Sequence, residues 1–576
     1  MNLLTDFQKK IELLLRKLEK NEFLILPKNL KSFKIELPPK NQKGDLACNA
    51  AMILSKINNK SPFDQATLLK KNFLNSFNEI QTIEIAKPGF LNITLKTSFW
   101  REHLLNIINL NSEYGSLQKK KKENYLVEFV SANPTGPLHV GHCRGAILGD
   151  VLSNLLIFNG NIVTKEYYVN DYGTQIKNFV NSVYLRILQI IQKNEFPKSE
   201  DLYPGEYIID IAKKIIKENK IKNFNKKEDI FNQLSLEALK FSMELIKNNL
   251  KLLGIKHDSF VYESELIKNE TVLKTVNKLK KLNYVYTGKI SAPKTDESSN
   301  WIAREQLLFK STEFGDDTDR SLQKDDKSWT YFAGDIGYHE NKINRKFDIL
   351  INVLGADHAG YIKRISSAVN ALSNNETKLV CKVSQLVKLF KNGKPFKMSK
   401  RKGDYITVED LVNEVGRDSV RFMILSRSND VELDFDFEKV TEKSKENPVF
   451  YVQYAYARIN SIFRSLNLEI ENKINITEKE FVLNSHELEI LRKISEWPKC
   501  VEITSFKLEP HIIPVYLYDL STLFHSYWNL GNENPDFRFV KNNSSVSNSR
   551  LLILQALAIV ITNAMSILGV STPKTM

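Results

Sequence analysis

Thiol groups are scarce in this chain, which has four cysteines among its 576 residues. They stand far apart, at Cys48, Cys143, Cys381 and Cys500, and no two of them form a Cys-x-x-Cys pair. That spacing argues against a thiolate zinc site and against a small scaffold held by disulfides. We therefore expect no zinc and a location in the reducing cytoplasm.

An uninterrupted apolar segment is lacking at the N-terminus, where charged residues break up MNLLTDFQKKIELLLRKLEK. A secretory signal peptide needs such a segment, so we predict none. Residues 551–570, in contrast, carry no charge and are long enough to span a bilayer. Because Gln555, Thr562, Asn563 and Ser566 lie in that run, we predict a buried core helix and no membrane contact. A membrane anchor is the alternative.

Acidic residues are outnumbered by basic ones, which gives a formal net charge of +14 and a pI of about 9.2. This surplus favours a polyanionic partner, since each Lys or Arg placed on a phosphate releases condensed counterions. The other interpretation is a drift in composition, because Lys, Ile and Asn are abundant along the whole chain. Charge alone leaves both interpretations open.

Hydrophobic periodicity predicts three domains. Residues 1–118 predict a small α/β domain, with an amphipathic helix at the start, a helix in LACNAAMILSKI and strand-like alternation at residues 83–95. Residues 119–445 predict a Rossmann-type domain with an insertion at about 165–345. Residues 446–576 are helical in period throughout and predict an all-helical domain. The fold class is therefore α/β, with a helical C-terminal domain.

Two short apolar strands support the Rossmann-type prediction. The first, YLVEFVS from Tyr125, leads into a turn rich in proline and glycine and then into a long helix from about Gly141. The second, FDILINVLG, ends at Gly355. A strand, a tight turn and a helix in succession open a nucleotide-binding βαβ unit.

The sharpest motif is Pro-Leu-His-Val-Gly-His at residues 137–142, in that turn. A helix N-terminus offers unpaired N–H groups and a partial positive charge, which suit an anion. His139 and His142 are three residues apart, so on a helix they share a face and can both donate to one phosphate chain. Gly141 leaves room for a nucleotide against the backbone. The alternative is a pair of structural histidines on a surface helix.

A second motif, Lys-Met-Ser-Lys-Arg at residues 397–401, lies between Gly393 and Gly403. Its cations, with Lys402, could stabilise the charge that develops on phosphate oxygens during nucleotidyl transfer. Taken alone, a basic loop of this kind is more often a solvated surface.

Together and in this order, the two motifs resemble the paired signatures of class I aminoacyl-tRNA synthetases. The neighbouring segments VEFVSANPTGPLHVGHCRGA (127–146), NDYGTQI (170–176), SWTYFAGDIGYH (328–339) and GADHAGY (355–361) are similar to the arginyl members. GDLACNAAMILSK and KPGFLNITL resemble their N-terminal domain. NPVFYVQYAYAR and LGVSTPKTM resemble their anticodon-binding domain, so the resemblance covers essentially the whole chain.

The resemblance implies a ligase that joins arginine to tRNA. ATP and L-arginine would give arginyl-adenylate and pyrophosphate, and the arginyl group would pass to the terminal adenosine 2′-OH of tRNA-Arg. Mg²⁺ would accompany ATP, and we expect a monomer. The alternatives are a class I synthetase for another amino acid, a small nucleotidyltransferase of the same fold, and a non-catalytic RNA-binding relative.

The resemblance also assigns residues to ATP. The signature motif comprises Ala132, Asn133, Pro134, Thr135, Gly136, Pro137, Leu138, His139, Val140, Gly141 and His142. The residues implied to act in catalysis are His139, His142, Lys397 and Lys400. The implied ATP site adds Pro137, Gly141, Met398 and Ser399. It also includes Gly355, Asp357 and His358, which would line the adenosine.

For arginine, the resemblance implies that Asp335 and Tyr331 face the guanidinium. Glu128 and Asn133 would hold the α-amino and carboxylate end, with His139 nearby. A guanidinium is always protonated and carries five donors, so carboxylates and neutral acceptors suit it. An ordinary salt bridge or helix cap is the alternative role for Asp335 and Glu128.

Two positions differ from some arginyl enzymes. Members with a degraded second motif carry a compensating lysine just before the first one, whereas this chain has Gly136 there and an intact KMSKR. The Lys397 and Lys400 loop would then serve the phosphates itself. A glutamine that some relatives use near the pocket has no clear counterpart in the segment Asn352-Val-Leu-Gly-Ala.

The N-terminal and C-terminal domains would hold tRNA at its elbow and anticodon. Single-stranded RNA bases are bound by stacking on aromatic side chains and by hydrogen bonds to their edges. The candidates are Tyr451, Tyr454, Tyr456, Arg458 and Trp528, although each could equally belong to a core.

Overall fold

The computed structural model describes residues 2–30, 32–39, 42–117, 121–289, 305–391, 393–395, 406–542 and 544–576. They form two compact units, a terminal unit made of Met1–Gln118 with Lys443–Met576 and a central unit of Lys119–Glu442. The Lys-Met-Ser-Lys-Arg motif lies outside the described residues.

The N-terminal part of the terminal unit is an antiparallel sheet with helices. Its elements are α1 (Leu3–Lys20), β1 (Ile35–Glu36), β2 (Leu46–Cys48), α2 (Ala50–Ile57), α3 (Pro62–Ser76), β3 (Ile80–Ala86), β4 (Phe90–Leu95) and α4 (Thr97–Leu110). The strand order is β1-β2-β4-β3. The predicted amphipathic helix is confirmed as α1, whose apolar face is buried at Phe7, Ile11 and Leu15. The prediction of one helix across LACNAAMILSKI is wrong at its start, because Leu46–Cys48 pairs with β4 as a buried strand.

The central unit alternates strands and helices. Its elements are β5 (Asn124–Glu128), α5 (Val140–Phe158), β6 (Ile162–Val169), α6 (Thr174–Gln192), α7 (Glu206–Glu218), α8 (Lys227–Leu252), β7 (Ser259–Tyr262), α9 (Glu263–Lys268), α10 (Thr271–Lys281), β8 (Val285–Gly288), β9 (Gln306–Phe309), β10 (Arg320–Ser321), α11 (Tyr331–Asn344), β11 (Ile349–Gly355), α12 (Ile362–Ser373), β12 (Lys378–Ser384), β13 (Val387–Lys391), β14 (Lys394–Pro395), α13 (Val408–Val415), α14 (Arg417–Ile424), β15 (Leu433–Asp436) and α15 (Phe437–Thr441).

The main sheet of this unit is parallel and has the order β12-β11-β5-β6-β7. The chain leaves β5 on one side toward β6 and later returns on its other side as β11, so the strand order reverses at β5. Open α/β sheets bind ligands in the crevice at such a reversal, outside the carboxyl ends of the strands. Glu128 at the end of β5 pairs in register with Asn352 of β11, which places both residues at that edge.

Helix α11 is fixed beside this edge by a core of its own. Phe332, Ala333 and Ile336 are buried among apolar residues of α10, α12 and β9. The other face of the helix carries Asp335 and Lys342 at a spacing of seven residues, which is close to two helical turns. The packing of α11 therefore decides where these two charged side chains lie.

Helices make up most of the C-terminal part of the terminal unit. Its elements are α16 (Pro448–Ser465), α17 (Ser485–Ser495), α18 (Trp497–Lys507), α19 (Ile512–Glu533), β16 (Val540–Lys541), β17 (Ser544–Ser545) and α20 (Asn548–Leu568). The last helix is long and apolar enough to cross a membrane, yet 83% of its apolar window is buried in this unit. Its polar side chains have partners there: Gln555 donates to the carbonyl oxygens of Ile470 and Asn472, and Asn563 donates to that of Asn111. The predicted core helix is confirmed.

Candidate active site

The two histidines of the first motif cap the N-terminus of α5. His139 is the N-cap residue, and its Nδ1 accepts a hydrogen bond from the N–H of Gly141 at 3.1 Å. Nδ1 of His142 accepts from the N–H of His139 at 3.2 Å. The ring centroids are 3.9 Å apart. A Cβ at Gly141 would lie 2.8 Å from Cε1 of His139, so glycine there makes this ring position possible.

These hydrogen bonds fix the tautomer of both rings. A neutral imidazole whose Nδ1 accepts carries its proton on Nε2, so each ring has its N–H group at that nitrogen. Burial, followed by the neighbouring His139, lowers the pKa of His142 to about 3, which keeps it neutral at physiological pH. The start of α5 therefore combines backbone N–H groups with two Nε2–H donors, an arrangement suited to phosphate oxygens.

The segment that follows the second motif is joined to the first. The N–H of Val140 donates to the carbonyl oxygen of Ile406 at 3.1 Å, and the N–H of Val408 donates to that of Leu138 at 2.9 Å. Thr407 then caps α13 through Asp410. Lys397, Met398, Ser399 and Lys400 themselves lie outside the described residues. Ile406, the first described residue after the second motif, is nonetheless in direct backbone contact with the signature motif.

The turn between β5 and α5 has unusual backbone angles. Val130 and Ser131 have φ angles of 72° and 42°, a region that side-chain-bearing residues seldom adopt and that costs conformational energy. The Ser131 hydroxyl compensates by donating to Oε1 of Glu128 at 3.0 Å and accepting from the N–H of Tyr168 at 3.1 Å. The predicted strand YLVEFVS therefore ends at Glu128, three residues early, because the chain turns at Val130.

The carboxylates assigned to arginine lie close together. Oδ2 of Asp335 accepts from the hydroxyl of Tyr361 at 2.5 Å, and Glu128 is near enough to contribute to the raised pKa of Asp335. Tyr331, one turn before Asp335 on α11, is 83% exposed. Asn133 donates to Oε1 of Gln175 at 2.5 Å. Glu128 also forms the salt bridge named as its alternative role, with Lys342 at 2.5 Å.

Two further carboxylates lie in the same neighbourhood. Asp171 accepts from the N–H and the hydroxyl of Ser264, at 2.8 and 2.6 Å. Burial, followed by the charges of Asp171 and Asp335, raises the pKa of Glu263 to about 7. Burial and all four carboxylates raise the pKa of Tyr168 as well. The site is thus strongly acidic, which favours a cationic ligand.

We expect arginine binding to weaken as the pH falls through about 6. Burial, as the main cause, raises the pKa of Asp335 to about 6, so this carboxylate is ionised above that pH and neutral below it. A neutral acid loses its charge-assisted hydrogen bonds to a guanidinium. The measurement is kcat/KM for arginine between pH 5 and 8, compared with kcat/KM for ATP in the same buffers. A profile for arginine that stays flat down to pH 5 would contradict the assignment.

The residues assigned to adenosine follow β11. Gly355 is the last residue of that strand, and Asp357 and His358 lie in the 3₁₀ turn Ala356–Tyr361. Their side chains are 79% and 60% exposed and lie 3.5 Å apart. They occupy the end of the strand beside β5, so the signature motif and this turn lie at the same edge of the sheet.

In the terminal unit, four of the five residues predicted for tRNA form one cluster. The guanidinium of Arg458 lies 4.3 Å from the ring of Tyr454 and 4.9 Å from that of Trp528. It also contacts Nδ1 of His525 at 3.0 Å, and the His525 ring lies 4.4 Å from that of Tyr451. Tyr456, in contrast, belongs to the core at 9% exposure.

Sequence reasoning missed several residues of the central site: Asp171, Glu263, Lys342 and Tyr361. Tyr361 and Asp171 lie inside segments that carry the family resemblance, so those segments held a signal for them. Lys342 was detectable as a lysine two helical turns after Asp335. Glu263 had no sequence signal, because only the approach of α9 brings it to the site.

A parallel sheet whose order reverses at β5, with a histidine-capped helix at that point, is the arrangement of a class I synthetase catalytic domain. The family model "tRNA synthetases class I (R), catalytic domain" matches residues 103–463. The models "Arginyl tRNA synthetase N terminal domain" and "DALR anticodon binding domain" match residues 5–95 and 452–576. The chain belongs to the arginyl-tRNA synthetases.

Individual proteins agree with the family models. The chain is 57% identical to the arginine–tRNA ligase of Pelagibacter ubique and 43% identical to that of Bartonella bacilliformis, each over the full length of both chains. It matches the solved arginyl-tRNA synthetase of Thermus thermophilus with a TM-score of 0.65 at 18% identity, over 99% of this chain and 100% of that one, which supports the fold alone. The predicted family, fold class and enzyme class are confirmed.

Proposed function

We propose that this chain attaches L-arginine to tRNA-Arg in two steps, with ATP converted to AMP and pyrophosphate. The observation that carries the proposal is the placement of two kinds of group at one edge of the sheet. The carboxylates Glu128 and Asp335 suit a cationic amino acid, and the histidine-capped start of α5 suits a triphosphate.

In the first step, the arginine carboxylate attacks the α-phosphate of ATP in line, and pyrophosphate leaves. His139 and His142 donate through Nε2–H to phosphate oxygens, and Lys397 and Lys400 add positive charge. Catalysis then depends on positioning and electrostatic stabilisation, with no general base or covalent enzyme intermediate. Mg²⁺, which synthetases of this class use with ATP, would supply further positive charge on the phosphates when bound. The donors at the start of α5 suit the phosphates rather than the ion.

Gly355, Asp357 and His358 line the adenosine site, and Tyr331 with Asp335 holds the guanidinium. Glu128 and Asn133 orient the α-amino and carboxylate end, so that the attacking oxygen faces the phosphate. The terminal adenosine 2′-OH of tRNA then takes the arginyl group and releases AMP.

The decisive experiment is arginine-dependent ATP–pyrophosphate exchange by the purified protein, with and without tRNA-Arg. We expect exchange only when arginine and tRNA are both present. Absence of exchange with arginine in a folded sample would overturn the specificity. A panel of the other amino acids would then separate a synthetase of different specificity from a non-catalytic RNA-binding relative.

The cluster around Arg458 is proposed to bind anticodon bases of tRNA. We expect Arg458→Glu to weaken tRNA binding roughly tenfold or more, since stacking of a base on one aromatic or guanidinium plane contributes about 1–3 kcal/mol. Filter binding or fluorescence titration with tRNA-Arg measures this. Arg458→Lys keeps the charge but loses the planar group, so its loss of tRNA affinity should be smaller than that of Arg458→Glu. Unchanged tRNA affinity for Arg458→Glu would remove this surface from the proposal.

We also propose a cytoplasmic enzyme without membrane contact, supported by the burial of α20 inside the terminal unit. We likewise propose that the enzyme is a monomer and holds no zinc. We also propose domain boundaries near residues 118 and 445, with an insertion at about 165–345. Sedimentation velocity of the purified chain would test the oligomeric state.

A further inference from the structure

Lys342 places an ammonium group in the interior of the central unit. Its side chain has 0% exposure, and its Nζ donates to Oε2 of Glu128 at 2.5 Å and to Oδ1 of Asn352 at 3.0 Å. The same Nζ lies 4.3 Å from the centre of the Tyr338 ring. Burying an ammonium is costly, and replacing a buried ion pair as a whole by apolar side chains of similar volume is often neutral or stabilising. Stability alone therefore gives little reason for a lysine here.

A directed chain of hydrogen bonds extends from this ammonium. His339 contacts the carbonyl oxygen of Asp335 through Nδ1 at 2.8 Å, and its Nε2 lies 2.9 Å from the amide nitrogen of Asn352. Burial, followed by the charge of Lys342, holds the pKa of His339 well below its usual range, so the ring is neutral. With Nδ1–H donating to the carbonyl, Nε2 must accept from Asn352. The amide oxygen of Asn352 is then turned toward Lys342.

This series of hydrogen bonds joins the two carboxylates assigned to arginine. It begins at the backbone of Asp335, passes through His339, Asn352 and Lys342, and ends on Oε2 of Glu128. Since Ser131 binds Oε1 of the same carboxylate, both oxygens of Glu128 have a fixed donor. Lys342 also lowers the pKa of Asp335 and so opposes the effect of burial.

We infer that Lys342 is a positioning residue for arginine, which fixes the orientation of Glu128 through its hydrogen bond to Oε2. The inference rests on the proposed role of Glu128 in binding the α-amino end. Without Lys342, Glu128 would lie against buried surface next to another carboxylate and would lose its orientation. Arginine would then bind less well, whereas the phosphate chemistry at the start of α5 would continue once arginine is bound.

The test is a double-variant cycle with Lys342→Met and Glu128→Gln in the full-length enzyme, assayed by ATP–pyrophosphate exchange with tRNA. We expect Lys342→Met to raise the KM for arginine about 10- to 100-fold, as for loss of a charged hydrogen bond. The kcat at saturating arginine should stay within about threefold. If Lys342 acts through Glu128, the double variant should have an arginine KM close to that of Glu128→Gln alone.

Lys278→Met is the matched control, because Lys278 pairs with Glu340 on the α10 side of α11, at 2.8 Å. Its arginine KM should not change. An unchanged KM for Lys342→Met, or effects that multiply in the double variant, would overturn the inference. If Lys342→Met does not fold, the double variant is used instead, because it leaves no unpaired carboxylate. Its arginine KM is compared with that of Glu128→Gln alone, and a further tenfold rise in KM would overturn the inference. An unchanged KM for Glu128→Gln would instead refute the proposed role of Glu128.

Discussion

The Asp335→Asn enzyme should bind arginine at least about 100-fold more weakly than the unaltered enzyme, as judged by its KM in the exchange reaction. A guanidinium that enters a desolvated site without its carboxylate leaves a buried charge unpaired, which costs about 3–5 kcal/mol. Asparagine has the same shape and can still accept from Tyr361, so the site should keep its geometry. Because the amide lacks the charge, a higher arginine concentration should restore much of the rate.

The stability of Asp335→Asn provides a second readout. Burial raises the pKa of Asp335 to about 6, so the folded state disfavours the ionised form. The resulting loss of stability grows as the pH rises from about 4 to about 6 and is present in full above pH 6. The neutral amide removes this cost, and the Tm at pH 7.5 should not fall. Asp317→Asn, which changes a carboxylate of 70% exposure on the same unit, should leave KM unchanged. A KM within threefold for Asp335→Asn would refute the proposed guanidinium contact.

Replacing Lys400 by alanine should lower kcat about 100- to 1,000-fold, with an arginine KM within a few-fold of the original. The lysine is proposed to stabilise charge that develops on the phosphates in the transition state, so its removal should affect the chemical step more than substrate binding. Ile406 follows the end of the motif by five positions, and its carbonyl oxygen accepts from the N–H of Val140 at 3.1 Å. This backbone contact supports an action of Lys400 near His139.

Lys391→Ala is the control for that experiment. Lys391 lies on β13, before the motif, and forms an exposed pair with Glu414 at 2.7 Å. Its removal deletes one positive charge from the same region and should leave kcat within about threefold. A Lys400→Ala enzyme with unchanged kcat and a large loss of arginine affinity would remove Lys400 from the catalytic set.

The sequence by itself determined the local structure and the family. The proline- and glycine-bearing turn after Tyr125 and the apolar run ending at Gly355 predicted the strands and the helix that carry the site, since these patterns depend on neighbouring residues. Gln555 and Asn563 correctly indicated a core helix rather than a membrane span, because each needs a hydrogen-bond partner that lipid does not offer. The order of two motifs along the chain was enough to identify the class.

Only the tertiary structure decided which distant side chains meet. Lys342 contacts Glu128 across 214 positions of sequence, because β5 and β11 are neighbours in the sheet and α11 packs beside them. The raised pKa of Asp335 arises from desolvation, which depends on everything packed around the group and on no residue pattern. Local patterns predicted most of the elements, whereas Leu46–Cys48 is a strand because it pairs with β4. The orientation of the carboxylates proposed for arginine follows from how those elements pack.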